Sequence, residues 1–123
     1  MFPSLKQLPI KYYDSFLRGV FDGDGCVSHG DRCVRVSFIG TENFLIGVKN
    51  ALVVTGVTSA DHIFIGKAHT NNTQIKTLSF QAKDAILNFY NLIYNNNDTY
   101  YLKRKKERYE ELINRQYPDG GKQ

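Results

Sequence analysis

The segment from Leu17 to Gly25 reads L-R-G-V-F-D-G-D-G, and it constrains the fold and chemistry of this chain more than any other. Its apolar first half predicts a helix that leads into Asp22 and Asp24, with one glycine between the two acids and another directly after them. The last turn of a helix presents unpaired carbonyl groups and the negative end of the macrodipole, so a carboxylate there needs a compensating positive charge. Because carboxylate, carbonyl and water oxygens suit hard divalent cations such as Mg²⁺, Asp24 is a candidate metal ligand.

The glycines of this helix indicate close packing against a partner. Gly19 and Gly23 are four residues apart and share one helical face. Glycine in a helix interior costs about 1 kcal/mol relative to alanine, and close approach of another helix is the expected compensation. If that helix belongs to a second copy related by a two-fold axis, its Asp24 arrives beside the first.

Other interpretations of the same region compete with a divalent cation site. In the simplest, Asp22 and Asp24 are solvated residues of a tight helix-to-strand turn. A calcium loop fails, because an EF-hand needs an oxygen ligand where Cys26 stands and a glycine where Val27 stands. Cys26, His29 and Cys33 offer zinc ligands, but their spacing matches no common zinc pattern, and a disulfide is not expected in a reducing compartment.

The nonapeptide resembles the motif of the LAGLIDADG homing endonucleases, and the matching positions are Leu17, Gly19, Asp22, Asp24 and Gly25. In that family the motif helix is followed by a hairpin, a helix, a second hairpin and two helices, the last often opening with a Leu-Lys-Arg-Lys-like run. Residues 102–105 of this chain supply that run, and the resemblance covers roughly residues 8–116. It implies an α+β fold, αββαββαα, in which helices back a four-stranded antiparallel, saddle-shaped sheet. We expect one domain over residues 1–117 and a disordered tail over 118–123.

The first predicted hairpin explains the cysteines without a metal. Gly30-Asp31 suits a two-residue turn, which pairs Cys26 with Arg35 and Val27 with Val34. One face of the hairpin is then apolar and should be covered by helices, while the other is too polar to be core. An ordinary solvated face is the alternative, but the resemblance implies a face that reads the major groove of DNA, where a two-stranded ribbon fits. The residues of that face are Cys26, Ser28, Cys33, Arg35, Ser37 and Ile39.

The middle of the chain predicts a helix and a second hairpin. Thr41 should cap a helix that ends near Thr55 and backs the sheet. Glu42 has two interpretations: it matches a polar family position that orders water near the metals, or it is a first-turn acid favoured by the helix dipole. Strands are expected at about residues 59–67 and 74–80, with Leu78 and Phe80 pointing inward. The candidates for base or phosphate contact in this hairpin are Lys67, Asn72, Lys76 and Thr77.

Two helices complete the predicted order. The first covers about residues 82–94, and the second starts near Thr99 or Tyr100 and runs to about Arg115. The first half of the last helix is strongly basic, which usually marks a solvated face. The resemblance instead places Lys103, or with a shift of register Lys105, near the scissile phosphates, and Lys106 is expected to contact DNA.

Composition sets outer limits. The chain has 123 residues, a formal net charge of +4 and a sequence pI near 9.1, which suits a polyanionic partner without proving one. Because no run of eighteen apolar residues and no signal peptide is present, we expect a soluble intracellular protein with no membrane partner.

The function implied by the resemblance is metal-dependent hydrolysis of duplex DNA rather than turnover of a small-molecule substrate. Asp24 and the Gly23 carbonyl would hold Mg²⁺ or another divalent cation. With one motif per chain, a homodimer would cut both strands of a long, roughly palindromic site. The expected dimer interface is Phe16, Gly19, Val20, Asp22 and Gly23. The alternative is a non-cleaving regulator or maturase-type module on the same fold, and a structural domain without nucleic acid leaves the acid at the helix end unexplained.

Overall fold

The computed structural model describes residues 9–29, 33–68, 70–94 and 102–118. Its elements follow the predicted order αββαββαα, and short 3₁₀ turns stand at Ile10–Tyr12 and Ala60–His62. The four strands form one antiparallel sheet in the order β1-β2-β4-β3, which confirms the predicted fold class. The element bounds are α1 Tyr13–Asp24, β1 Gly25–His29, β2 Val34–Thr41, α2 Glu42–Val54, β3 Phe64–Lys67, β4 Ile75–Phe80, α3 Lys83–Tyr94 and α4 Lys103–Gln116.

Helix α1 buries one side completely in the core of its own chain. Leu17 and Phe21 are fully buried, as expected for a helix that covers a sheet. Phe16 and Val20, predicted for a dimer interface, are 7% and 0% exposed and belong to the same core. The buried stripe of α1 is therefore wide enough to include both residues.

Gly25 allows the chain to leave α1 and enter β1 without an intervening loop. Its backbone is extended, and its N–H still donates to the Phe21 carbonyl. A Cβ atom at this position would lie 2.8 Å from both Cα and the carbonyl oxygen of Phe21. Only glycine avoids that overlap, since the obstructing atoms include backbone and not only a movable side chain.

The first hairpin has the predicted faces but not the predicted register. Cys26 pairs with Ser37, Val27 with Val36 and Ser28 with Arg35, so each partner lies two residues later than expected. The connection between paired His29 and Val34 is therefore four residues long, and its residues 30–32 lie outside the described part of the chain. A shift of two residues keeps every side chain on its face, because side chains alternate with a period of two.

The first strand of the second hairpin is shorter than predicted. Residues 60–62 form a 3₁₀ turn, and β3 begins only at Phe64. Ile63 is buried and Phe64 is exposed, so Phe64 lies on the side of the sheet away from the core. Leu78 and Phe80 are fully buried, as predicted.

Three helices complete the core on the same face of the sheet as α1. Thr41 caps α2 by accepting from the Phe44 N–H, and Gly56 follows the helix in the left-handed conformation at φ 81°. Helix α4 begins at Lys103; the predicted start near residues 99–100 lies outside the described residues, and so does most of the predicted tail, 119–123. Leu102 is 48% exposed and precedes the helix as its N-cap.

Aromatic rings at the centre of the core join the motif helix to the sheet and the two last helices. Phe89 of α3 lies edge-on to Phe21 of α1, Phe38 of β2 and Phe80 of β4, with ring centroids 5.5–5.9 Å apart. Tyr109 of α4 is also buried, and its hydroxyl donates to the Ile86 carbonyl at 2.5 Å. Such contacts hold α1 at a fixed position against the sheet. Of the helices within the described residues, none is long and apolar enough to cross a membrane.

Candidate functional site

The sheet presents one face that the helices do not cover. Ser37 pairs with Ser79, and Ile39 pairs with Thr77, so the register places strands β1, β2 and β4 in one continuous polar surface. Ile39 is 48% exposed within it. Cys33 precedes β2 and is partly buried. The predicted residues that the strands bring together on this surface, which we call the open face, are Cys26, Ser28, Arg35, Ser37, Ile39 and Thr77.

Three residues on or beside the open face were not predicted from the sequence: Phe64, Ser79 and Gln81. Arg35 donates from Nε and Nη2 to Oε1 of Gln81, at 3.2 and 3.0 Å, so its guanidinium is held by a neighbour just beyond β4. Phe64 and Ser79 pair across β3 and β4, and Phe64 is 60% exposed. The alternation of side chains could have identified Ser79 and Gln81, because they and Thr77 alternate with the inward Leu78 and Phe80.

The predicted basic residues of the second hairpin lie elsewhere. Lys67 pairs with Lys76. Each lysine is next in sequence to a residue whose position is on the open face: Gly66 precedes Lys67, and Thr77 follows Lys76. The two lysines therefore point to the helix side of the sheet, at its end, and do not join the open face. Asn72 is exposed in the connecting loop, where its side-chain oxygen accepts from the Gln74 N–H at 2.9 Å.

The motif carboxylate stands at the end of α1, beside the open face. Asp24 is the last residue of the helix, it is exposed, and Gly23 before it is exposed as well. Gly25 pairs with Phe38, so Asp24 lies toward the end of the sheet at which β2 ends. Glu42 directly follows β2 as the exposed first residue of α2.

Asp22 faces the interior of its own chain. Its Oδ2 accepts a hydrogen bond from the backbone N–H of Leu102 at 3.1 Å, so it caps the start of α4. Desolvation by burial raises the pKa of Asp22 above its ordinary value, and the Leu102 N–H opposes that shift. Its Oδ1 is buried and has no hydrogen-bond partner among the described residues. The predicted interface residue Asp22 is thus occupied within the chain.

Lys105 supplies the positive charge that the end of α1 requires. Its Nζ donates to the carbonyl oxygens of Phe21, Asp22 and Gly25 at 2.6, 3.0 and 2.6 Å. The ammonium also lies over the Phe21 ring, 5.3 Å from its centroid. Lys103, the other lysine predicted near the scissile phosphates, is exposed at the first position of α4.

Lys106 is engaged with its own helix and with α3. It forms an ion pair with Glu110 at 2.7 Å and lies over the rings of Tyr90 and Tyr94. The hydrogen bond to Glu110 raises the pKa of Lys106, and the same bond lowers the pKa of Glu110. The ion pair lies within α4, and the contacts with the two rings join α4 to α3.

The oxygen donors at the end of α1 fit a hard cation better than a soft one. The Asp24 carboxylate and the Gly23 carbonyl are exposed oxygen groups of the kind that Mg²⁺ prefers. Over residues 9–29, 33–68, 70–94 and 102–118, no group of three or more histidine, cysteine or acidic side chains is placed to hold a metal ion. Within these ranges, one chain therefore brings a single exposed motif carboxylate to this position.

Comparison with known proteins supports the fold from structure rather than from sequence. No family model matches the chain, and no curated protein matches it. A similar solved structure is that of the homing endonuclease I-CvuI in complex with the I-CreI target in the presence of Mg, with the DNA not cleaved. The similarity covers 90% of this chain and 74% of that chain, with a TM-score of 0.51 and 14% sequence identity. The chain therefore has the α+β fold of the LAGLIDADG homing endonucleases.

Proposed function

We propose that this protein is a member of the LAGLIDADG family that cuts duplex DNA at a specific site, as a homodimer and with the help of a divalent cation. The observation that carries the proposal is the exposed Asp24 at the end of a buried motif helix, directly beside the open face. Binding surface and acid are thereby joined in one rigid unit, since Gly25 passes from helix to strand without a loop.

The open face supplies the chemistry of base recognition. A two-stranded ribbon fits the major groove, and side chains on one face of it reach the edges of the bases. Arg35 is the strongest candidate for guanine, because Gln81 orients its guanidinium. The exposed apolar Ile39 and Phe64 suit contact with thymine methyl groups. Serine and threonine positions add hydrogen bonds to either base or backbone.

The proposed reaction is hydrolysis of a phosphodiester. A water oxygen attacks phosphorus in line and the bond to the leaving oxygen breaks. The attacking water gives a proton to solvent, and the leaving oxygen takes a proton from solvent to become a hydroxyl. Asp24 and the Gly23 carbonyl would hold a divalent cation, which when bound lowers the pKa of water and neutralises developing charge. Lys103 would stabilise negative charge on the phosphate, and Glu42 would order water. No residue of the chain is required as a covalent nucleophile.

The homodimer follows from the single motif. Each described chain contributes one Asp24, while cutting two strands requires two such acids. The side of α1 away from the core offers a surface for the pairing: Gly19 is partly exposed, and Gly23 is exposed with nothing within 4 Å of the place where a Cβ would lie. The adjoining Tyr12 is 48% exposed, which adds apolar area at the start of the same helix.

The deciding experiment is selection of cleaved sequences from a randomised duplex pool. The protein is incubated with the pool in Mg²⁺, and parallel reactions contain either Ca²⁺ or a chelator. We expect Mg²⁺-dependent cuts on both strands around one roughly palindromic consensus. Salt-dependent binding with no cut in any metal would refute the endonuclease and favour a DNA-binding regulator, and no salt-dependent gel shift would refute nucleic-acid binding altogether.

A further inference from the structure

The three donors of the Lys105 ammonium are all used inside the chain. A lysine ammonium has three N–H groups, and its three acceptors here are the carbonyls of Phe21, Asp22 and Gly25 at 3.0 Å or less. Two of these carbonyls precede Gly23 and Asp24, and the third follows them. The lysine therefore fixes the backbone on both sides of the segment that presents the motif acid.

A second hydrogen bond joins the same two helix ends, with its acceptor on α1 being a side chain and its donor on α4 being a backbone N–H. Asp22 of α1 accepts from the Leu102 N–H at the start of α4, while Lys105 of α4 donates to the end of α1. Each helix end thus receives the sign of charge that its macrodipole favours, a cation at the C-terminal end and an anion at the N-terminal end. We call this pair of contacts the reciprocal cap. Because Asp22 and Lys105 are partly buried, the contacts are screened less than surface ion pairs.

We propose that Lys105 is a positioning residue, which holds Asp24 and the Gly23 carbonyl in the geometry for catalysis without touching the DNA itself. The proposal rests on the proposed function, since it names a residue that serves the same reaction. It separates the two lysines of the 102–105 run: Lys103 is exposed and free to approach a phosphate, whereas the donors of Lys105 are committed to backbone carbonyls.

The first test uses the full chain without metal or DNA. Hydrogen exchange is measured for wild type, Lys105→Met and the control Arg104→Met, which removes the same charge from an exposed position of α4. We expect amides of residues 21–25 to exchange about tenfold faster or more in Lys105→Met alone, because each lost bond to a charged donor is worth at least one factor of ten. Unchanged exchange in this segment would overturn the proposal, since a lysine that only contacts phosphate has no effect in free protein.

The second test separates positioning from general stability. Val57→Ala is a stability control, because Val57 is buried in the loop after α2 and far in sequence from the reciprocal cap. Unfolding free energies, duplex Kd and single-turnover cleavage rates are measured for all variants on the selected site. We expect Lys105→Met to cut roughly 100-fold more slowly, with a duplex Kd matching that of Arg104→Met, since small misplacement of a catalytic group has that effect. Lys105→Arg, which keeps the charge but not the three-donor geometry, should recover binding fully and cleavage only in part.

The outcomes distinguish the two proposals. Lys105 is not a positioning residue if Val57→Ala has the same free energy of unfolding as Lys105→Met and loses as much cleavage. The same conclusion holds if Lys105→Met cuts like wild type. Full rescue of cleavage by Lys105→Arg would also overturn positioning and favour a direct charge contact. A wild-type protein that cuts no duplex refutes the proposed function and removes the catalytic role of the reciprocal cap, while the exchange data still show what Lys105 does to the fold.

Discussion

Asp22 and Asp24 stand two residues apart, yet their surroundings differ at the scale of single side chains. Asp22 is partly buried and accepts from the Leu102 N–H, and desolvation raises its pKa. Asp24 is exposed at the helix end. A carboxylate bound to the backbone of its own chain serves packing, whereas an exposed one beside a carbonyl can serve a ligand. The motif therefore holds Asp22 in a structural contact and leaves Asp24 exposed, where the proposed chemistry needs it.

Replacing Asp24 tests that division directly. Asp24→Asn keeps the shape of the side chain and removes its charge, so cleavage should fall about a thousandfold or more, because several kcal/mol of metal-assisted stabilisation are lost. Duplex affinity should stay the same or rise, since few groove contacts change. Single-turnover cleavage and gel shifts on the selected site measure both effects, and Asp14→Asn on the same helix is the charge-matched control. Near wild-type cutting by Asp24→Asn would remove Asp24 from the catalytic assignment.

Arg35 should determine one base pair in each half-site. Arg35→Ala is expected to lose about 1–3 kcal/mol of discrimination at that pair, and Gln81→Ala a smaller amount at the same pair, because Gln81 only orients the guanidinium. Lys103→Ala, at the exposed start of α4, should weaken all duplexes alike and reduce the salt slope by about 1. Binding to a library of single-base variants makes the comparison. Equal losses at every position for Arg35→Ala would show that it contacts only phosphate.

At the scale of elements, the sequence predicts what is periodic and misses what depends on distant partners. The alternation of β2 and β4 predicts the correct faces of the sheet. The register of the first hairpin could not be obtained, because the residue pair Gly30-Asp31 suggests a turn but does not set the loop length. The contact of Lys105 with Phe21 joins residues 84 positions apart, and no local pattern encodes it. Phe16 and Val20, predicted for a dimer interface, pack in the core of the single chain, and sequence alone does not separate an internal neighbour from a second copy.

The junction of α1 and β1 offers a test at this scale with two glycines of one motif. Gly25→Ala places a Cβ 2.8 Å from backbone atoms of Phe21 and should destabilise the protein by about 1–3 kcal/mol, as overpacking does. Gly23→Ala meets nothing within 4 Å in the chain and should leave stability unchanged or raise it by up to about 1 kcal/mol. Urea denaturation at a concentration that keeps the protein monomeric gives both values. Equal stabilities for the two variants would contradict the described junction.

At the scale of the whole molecule, the described residues form one folded core and bring one motif acid to the candidate site. The aromatic cluster, the reciprocal cap and the buried stripe of α1 fix that acid relative to the open face. The opposite side of α1 is left with partly or fully exposed small residues at Ser15, Gly19 and Gly23. Two copies that meet along this side would place two identical acids near a common axis and join two open faces into one long surface. The length and near-palindromic symmetry of the proposed target follow from that geometry.

The dimer is tested best at Gly23. The single chain has room for a side chain at this position, whereas a closely packed second copy would leave no such room. Gly23→Leu should leave the monomer folded, because a Cβ there meets nothing within 4 Å, but it should push two packed helices apart and separate their Asp24 carboxylates. Gly19→Leu should act in the same way one turn earlier. Asn50→Leu, an equally exposed position on α2, is the control for an added surface leucine. Sedimentation is measured at micromolar concentration, for the protein alone and on the selected duplex, and double-strand cleavage is measured in parallel. We expect both glycine variants to lose the dimer and the cleavage together. Asn50→Leu should keep both. A wild type that stays monomeric on its DNA, or a Gly23→Leu protein that remains a dimer and cuts both strands, would contradict assembly along α1.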